Sequence, residues 1–155
     1  MASAMFLRHA KSDWDVPVTG DFERPLNDRG LRAAAAVGKF LTEINHVPDF
    51  ILCSPAIRAR QTVEVAIHAG KWPCPLEMVD ELYDGTVHDM VGLATRRQVP
   101  VVMVVGHEPT LSTAVGQLTG AEVRMPTAAL ARVKLQVDKT GELEWLIPPR
   151  LLTDR

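Results

Sequence analysis

Short apolar runs alternate with stretches of helical periodicity along most of this 155-residue chain. The runs at 4–7, 50–53 and 101–105 have the length of buried strands, whereas 34–44 places apolar side chains at helical spacing. Strands that alternate with helices are typical of an α/β protein with a largely parallel sheet. We therefore predict a single domain over residues 1–155, a three-layer αβα arrangement with helices on both faces of a mixed, mostly parallel sheet.

The C-terminal part of the chain follows a different pattern. Apolar and polar residues alternate through 132–137 and again through 143–147, with a turn-forming segment at 138–141 between them. Alternation with a period of two predicts strands that expose one face to solvent. We expect these two strands to form a hairpin that adds antiparallel strands to the edge of the parallel centre.

Composition limits the classes of partner. With 17 basic and 19 acidic residues the formal net charge is −2, so the chain has no general electrostatic attraction for nucleic acid or anionic membranes. No apolar run approaches the roughly 20 residues of a membrane-spanning helix, and no secretory signal is recognisable. We expect a cytoplasmic protein with neither a nucleic-acid nor a membrane partner. The two cysteines do not make a disulfide framework.

Cations and imidazoles follow the predicted strands. Arg8 and His9 come directly after the first apolar run, Arg58 follows the second within one helical turn, and His107 follows the third. The carboxyl ends of parallel strands meet at one edge of a sheet, where the positive ends of helices favour anions. A neutral imidazole can accept a phosphoryl group, and arginine forks hold phosphate oxygens. These residues predict a phosphoryl-transfer site with histidine as nucleophile.

Local signals also predict two helix starts beside this site. Ser54 followed by Pro55 predicts a capping hydroxyl with proline at the first helical position. Pro109 predicts the start of a later helix, with Glu108 in its first turn, where a carboxylate suits the helix dipole.

Motifs for metals and nucleotides are missing. The sequence HEPTL that begins at His107 has leucine where a zinc-protease helix needs its second histidine. Neither a dinucleotide fingerprint nor a P-loop is present. Cys53 precedes Arg58 with four intervening residues, one fewer than cysteine phosphatases place there, so we interpret Cys53 as structural. We predict no metal and no cofactor.

Five longer motifs follow one another along the chain: LRHAKSDW at 7–14, RPLNDRG at 24–30, SPAIRARQT at 54–62, VGHEP at 105–109 and PTAAL at 126–130. Taken in this order, they resemble the histidine phosphatase superfamily, and within it the small SixA-type phosphohistidine phosphatases. The resemblance implies a phosphoglycerate mutase-like fold.

The resemblance also implies roles for the candidate residues. His9 becomes the phosphorylated nucleophile, and Arg8, Arg58 and His107 complete the phosphate pocket without a metal. His107, if protonated, would donate to the phosphoryl oxygens. Ala10 departs from the superfamily pattern, which has glycine after the histidine, and we interpret it as a marker of the small branch.

The proton donor to the leaving group is the least determined role. Larger relatives use a carboxylate from the region that follows the second helix, and Glu81 is the candidate here. The alternative is that Glu81 belongs, with Asp80 and Asp84, to a solvated acidic loop.

The segments between the motifs are short and leave little chain for a lid, which predicts an open site. An open site would admit a phosphorylated side chain on a protein surface, so we favour a phosphohistidine protein phosphatase. A phosphatase for sugar phosphates, nucleotides or other small esters remains an alternative, as does a non-catalytic phosphoprotein-binding module. The sequence makes no prediction of oligomeric state.

Overall fold

The computed structural model describes residues 2–15, 17, 20–96, 99–138 and 140–153. Its strands are β1 (Ser3–Arg8), β2 (Phe50–Cys53), β3 (Leu76–Met78), β4 (Val101–Gly106), β5 (Leu130–Leu135) and β6 (Gly141–Ile147). Its helices are α1 (Asp28–Glu43), α2 (Ile57–Gly70), α3 (Glu81–Asp84), α4 (Val87–Arg96), α5 (Thr110–Thr119) and α6 (Arg150–Thr153), and Asp21–Glu23 form a 3₁₀ turn.

The strands form one six-stranded sheet in the order β3-β2-β4-β1-β5-β6. Strands β3, β2, β4 and β1 run parallel, whereas β5 lies antiparallel to β1 and β6 antiparallel to β5. This arrangement confirms the predicted mixed, mostly parallel sheet with a C-terminal hairpin at its edge. Lys139, within the predicted turn of that hairpin, lies outside the described residues.

Alternate side chains of β1 contribute to the hydrophobic cores on the two faces of the sheet. Met5 and Leu7 pack against α1 and α2, together with Val37 of α1. Ala4 and Phe6 point to the opposite face, where helices α4 and α5 cover them. All four of these β1 side chains are fully buried. The predicted three layers, with helices on both faces, are therefore confirmed.

The predicted start of α2 is wrong by two residues. The helix begins at Ile57 with Ala56 as its N-cap residue, and no side chain caps it. The hydroxyl of Ser54 accepts from the backbone nitrogen of Ala56 at 3.3 Å, so it lies two residues too early to act as the helix cap. Sequence analysis missed this because the Ser54 hydroxyl also has a distant partner, described below.

Glu108 also differs from its predicted position in the first turn of α5. The helix begins at Thr110, so Glu108 and Pro109 precede it. Glu108 Oε1 nevertheless accepts from the backbone nitrogen of Ser112 at 2.8 Å. The carboxylate therefore serves the free N–H groups of the helix start from outside the helix.

Three short elements were not predicted: β3, α3 and α6. Each is only three or four residues long, too short for a periodic signal to develop. Cys53 is fully buried on β2, and burial raises the pKa of its thiol, in agreement with a structural role. Within the described ranges, no helix has both the length and the apolar character needed to cross a membrane.

Candidate active site

The ends of β1 and β4 bring the two predicted histidines together. Arg8, the last residue of β1, pairs in register with Gly106, the last residue of β4. The residues that follow are His9 and His107, and their ring centroids lie 5.2 Å apart. Backbone hydrogen bonds fix His9 on both sides: its nitrogen donates to Gly106 O at 3.1 Å, and its carbonyl accepts from Ala128 N at 3.0 Å.

Arg58 reaches the same place from the first turn of α2. Thr62, which lies one turn after Arg58 in α2, links that helix to the loop after β1 through hydrogen bonds. The Thr62 hydroxyl accepts from Ala10 N at 2.9 Å and donates to Arg58 O at 2.7 Å. Through this one hydroxyl, the backbone beside His9 and the backbone of Arg58 are held in a fixed relation.

The environment of His9 favours a neutral ring. The pKa of His9 is lowered from 6.5 to about 3. Burial is the largest cause, the hydrogen bond to Ala10 O opposes it, and the nearby charges of His107, Arg58 and Arg8 add to it. Because Nδ1 donates to that carbonyl at 2.8 Å, the proton of the neutral ring is on Nδ1. The lone pair of Nε2 is therefore available for attack on an electrophile.

His107 is held by Ser54. Its Nε2 lies 2.8 Å from Ser54 Oγ, which already accepts from Ala56 N. The hydroxyl proton is thus available for Nε2, and the neutral ring then carries its own proton on Nδ1. The pKa of His107 is lowered from 6.5 to about 4, mainly by burial and then by the charge of Arg58, while Asp21 opposes the shift.

Three of the nitrogens that the sequence assigned to a phosphate pocket are buried without a hydrogen-bond partner among the described residues: Arg8 Nε, Arg58 Nε and His107 Nδ1. A buried unpartnered polar group costs about 1–3 kcal/mol. An oxyanion supplies several acceptors at once and would satisfy such groups with charge-assisted hydrogen bonds. The site is therefore suited to a phosphoryl group.

Asp21 is a site residue that sequence analysis missed. Its Oδ2 accepts from Arg58 at 2.9 Å and from the Tyr83 hydroxyl at 3.0 Å, and its Oδ1 accepts from Arg24 at 2.9 Å. Its backbone oxygen accepts a further bond from Arg58 at 2.9 Å. The hydrogen bond from Arg24, aided by those from Tyr83 and Arg58, lowers the pKa of Asp21 to about 2. The carboxylate is therefore ionised, and it orients Arg58.

Arg24 is a further cation of the site beside Arg8 and Arg58, although only its motif was noted in the sequence. It is 7% exposed, donates to the hydroxyl of Ser12, and lies under the Trp14 ring with its guanidinium carbon 3.6 Å from the ring centroid. Trp14 itself is 71% exposed. The three-residue spacing of Asp21 and Arg24 was the one signal that could have revealed their ion pair.

The structure does not bring Glu81 into contact with the two histidines. Glu81 is exposed at the start of α3 and lines a separate groove, together with His88 and Asp89. Among the described residues, no hydrogen bond, ion pair or ring contact joins it to His9 or His107. Its neighbour Tyr83 reaches the site instead, with its ring 5.6 Å from that of His107.

The predicted absence of a metal stays a prediction. No group of three or more His, Cys, Asp and Glu residues suited to a metal ion is found in the described ranges. The positive charges of Arg58, Arg8 and Arg24 all act to lower the pKa of His107.

Comparison with known proteins identifies the family. The model of the histidine phosphatase superfamily, branch 1, matches residues 4–100, so the chain belongs to that superfamily. Within it, the chain falls in the SixA-type branch. Phosphohistidine phosphatase SixA of Escherichia coli is 27% identical over 149 residues, which cover 92% of this chain and 91% of that protein.

Two further relatives extend the comparison. The solved structure of the protein histidine phosphatase SixA complexed with tungstate has a TM-score of 0.88 at 26% identity, covering 97% of this chain and 99% of that chain. An uncharacterised protein of Mycobacterium tuberculosis is 38% identical over 109 residues, which cover 68% of this chain and 65% of that protein. The match thus spans less than two thirds of the mycobacterial relative.

Proposed function

We propose that the protein is a phosphatase that passes the phosphoryl group of its substrate to His9 and then to water. The observation that carries this proposal is the pairing of a neutral His9, with its Nε2 lone pair free, and unpartnered buried nitrogens on Arg8, Arg58 and His107. A nucleophile and a cationic cradle are the two parts that phosphoryl transfer needs.

The proposed reaction has two steps. In the first, His9 Nε2 attacks phosphorus, the bond to the leaving group breaks, and the leaving group departs with the bonding electrons and takes up a proton. In the second, water attacks the phosphohistidine, loses a proton to solvent and releases inorganic phosphate with neutral His9. Arg8, Arg58 and His107 bind the oxygens on which negative charge spreads.

We further propose that the substrate is a phosphohistidine side chain of another protein. The SixA relatives support this choice, because their names describe phosphohistidine and protein histidine phosphatases and they align along nearly the whole chain. The leaving imidazole of such a substrate is easily protonated, so it needs an enzymic acid less than an alkoxide does. The ionised state of Asp21 suits that chemistry, as does the position of Glu81 in the lining of another groove.

Rapid quenching of a reaction with ³²P-phosphohistidine peptide tests the covalent step. We expect an acid-labile, base-stable label on the wild-type protein and none on His9→Ala, which should lose at least about a thousandfold in turnover because the nucleophile is gone. His68→Ala is the matched control, since His68 is an exposed histidine of α2 outside the site, and it should keep full label and turnover.

Full turnover by His9→Ala would contradict the covalent mechanism. The same assay with sugar phosphates and p-nitrophenyl phosphate, with and without chelator, decides the substrate class and the need for metal. Faster turnover of a small ester than of every phosphohistidine substrate would replace the proposed substrate. Phosphate binding without any turnover would identify a binding module.

A further inference from the structure

A second feature of the molecule, a long basic groove, begins at Arg8 and leads away from the other site residues. It encloses about 1330 Å³ between α1, the loop before β5 and the C-terminal helix α6. Neither His9 nor Arg58 nor His107 lines it. We call it the α1 groove, and its charged lining residues are Arg8, Lys11, Arg29, Arg32, Lys39, Glu43, Arg124 and Arg150.

The charge of this lining departs from that of the whole chain. Seven of the 17 basic residues line the α1 groove, against one of the 19 acidic residues, in a chain of net charge −2. Apart from Arg8, these cations are exposed. The groove is therefore a local positive surface open to an anionic partner.

The spacing of the cations favours an extended partner over a small molecule. Arg29, Arg32 and Lys39 follow one side of α1, and the helix rises about 15 Å from the first to the last. The side chains are spread along the groove and do not surround one point. Apolar side chains lie between them, among them Ala36 and Leu152. Separated cations around an apolar strip match the surface of a protein that carries separated carboxylates.

The same lining argues against a nucleic acid. Binding of single strands relies on aromatic side chains that stack on the bases, and the described lining of the α1 groove contains no aromatic residue. The apolar strip would contribute nothing to a phosphate backbone. Both features suit an acidic protein surface.

We propose that the α1 groove binds an acidic segment of the phosphorylated partner protein while the phosphohistidine of that partner enters the pocket of His9. Arg8 connects the two, because it lines the groove and its charge acts on His9. The inference rests on the proposed function. It adds a rule for substrate choice: beside its phosphohistidine, the partner carries acidic side chains spread over about 15 Å.

Two matched peptides test the inference. Each has about 20 residues and one chemically phosphorylated histidine near one end, followed by glutamates in one peptide and glutamines at the same positions in the other. At low ionic strength we expect a kcat/KM about tenfold higher for the glutamate peptide, with the difference disappearing as salt is raised, because exposed charges attract over about 10 Å at 0.1 M salt.

Charge reversal assigns the effect to the groove. The variant Arg32→Glu/Lys39→Glu should remove the preference for glutamate, whereas Arg96→Glu/Lys71→Glu, an equal change of exposed residues outside the groove, should keep it. Both variants should hydrolyse p-nitrophenyl phosphate like wild type. Equal kcat/KM for the two peptides with wild type, or equal loss of preference in both variants, would overturn the inference.

Direct binding separates this inference from the proposed function. Fluorescence anisotropy with the unphosphorylated glutamate peptide should show binding by wild type that the groove variant loses, even if no peptide is hydrolysed. Absence of hydrolysis alone would count against the proposed function, and absence of binding against the groove. If an oligonucleotide of equal charge bound more tightly and with the same dependence on Arg32 and Lys39, the occupant would be a nucleic acid and the proposal would be wrong.

Discussion

Two carboxylates bear on the chemistry proposed for His9, and they differ in what surrounds them. Asp21 is bonded to Arg24, Arg58 and Tyr83, and with its pKa lowered to about 2 it holds no proton to give near neutral pH. Glu81 is exposed and lines another groove. Asp21 therefore acts as a positioning residue for Arg58, and the role of proton donor for a poor leaving group stays with Glu81 as a proposal.

The variant Asp21→Asn should show whether Asp21 acts by orienting Arg58 or by contributing to phosphate binding. The variant keeps the shape of the side chain but loses the charge that orients Arg58, and a hydrogen bond to a charged group is worth about 1.5–3 kcal/mol. We expect kcat to fall about tenfold or more. The inhibition constant of inorganic phosphate should not rise, because a negative charge beside the pocket has been removed. Steady-state kinetics with phosphate as inhibitor measures both.

Glu81→Gln is the comparison variant for this experiment. It should lower turnover of alkyl phosphates and leave that of a phosphohistidine peptide unchanged, since only the alkoxide needs a proton donor. A parallel rise of KM and of the phosphate inhibition constant in Asp21→Asn would show that the aspartate contributes to binding only. Unchanged rates of Glu81→Gln on both substrates would remove Glu81 from the mechanism.

At the scale of elements, α1 and α2 approach each other through glycine. A Cβ built on Gly38 of α1 would collide with the backbone carbonyl of Ala66 of α2, and one on Gly70 would collide with Gly38 O. The indole of Trp72, just after the C-terminal end of α2, donates to Gly38 O at 3.2 Å and so adds a hydrogen bond between the end of α2 and α1. The helix that carries Arg58 is therefore packed tightly on the helix that forms one wall of the α1 groove.

Gly38→Ala should destabilise the protein. Alanine gains helix propensity of about 1 kcal/mol over glycine, but the clash is with backbone, which cannot rotate away, and overpacking of this kind costs about 1–3 kcal/mol or more. Gly92→Ala in α4 is the matched control, because nothing lies within 4 Å of its Cβ position. The control should raise the free energy of unfolding in urea while Gly38→Ala lowers it. An equal gain in both variants would contradict the close approach.

The sequence could predict the site residues whose positions follow from local patterns. It could not predict those whose positions depend on hydrogen bonds to residues far along the chain. Arg8, His9 and His107 follow directly from strand ends, because parallel strands must end at one edge. The start of α2 was misplaced because Ser54 bonds to His107, which lies 53 positions further along the chain. Asp21 was missed for the same reason: its partner Tyr83 is 62 positions away.

At the scale of the whole molecule, the imidazoles of buried His9 and half-buried His107 make stability depend on pH. Burial lowers the pKa of His9 from 6.5 to about 3 and that of His107 to about 4. Below pH 6.5 the unfolded chain therefore binds protons that the folded protein does not, and the free energy of unfolding falls as the pH falls. At pH 5 the expected loss is about 2 kcal/mol for each histidine.

Urea denaturation from pH 8 to pH 5, in buffers without phosphate, measures this loss. His9→Gln/His107→Gln should flatten the dependence, and His68→Gln, which changes an exposed histidine, should leave it as in wild type. Asp21 does not enter this window, because its lowered pKa contributes stability that is lost only below about pH 3.8. A double variant with the wild-type slope would show that other groups carry the acid sensitivity.

The backbone of His9 is hydrogen-bonded to Gly106 at the end of β4 and to Ala128 in the loop before β5, so these two segments hold the nucleophile in place. Among the described residues, no hydrogen bond joins His9 to a side chain of α1. If the α1 groove selects the partner, evolution can change the substrate protein by altering charges on α1. The residues at the ends of β1 and β4 that carry out phosphoryl transfer then stay unchanged. Under this scheme, paralogues of this chain would diverge in surface charge along α1 long before they diverged at the ends of β1 and β4.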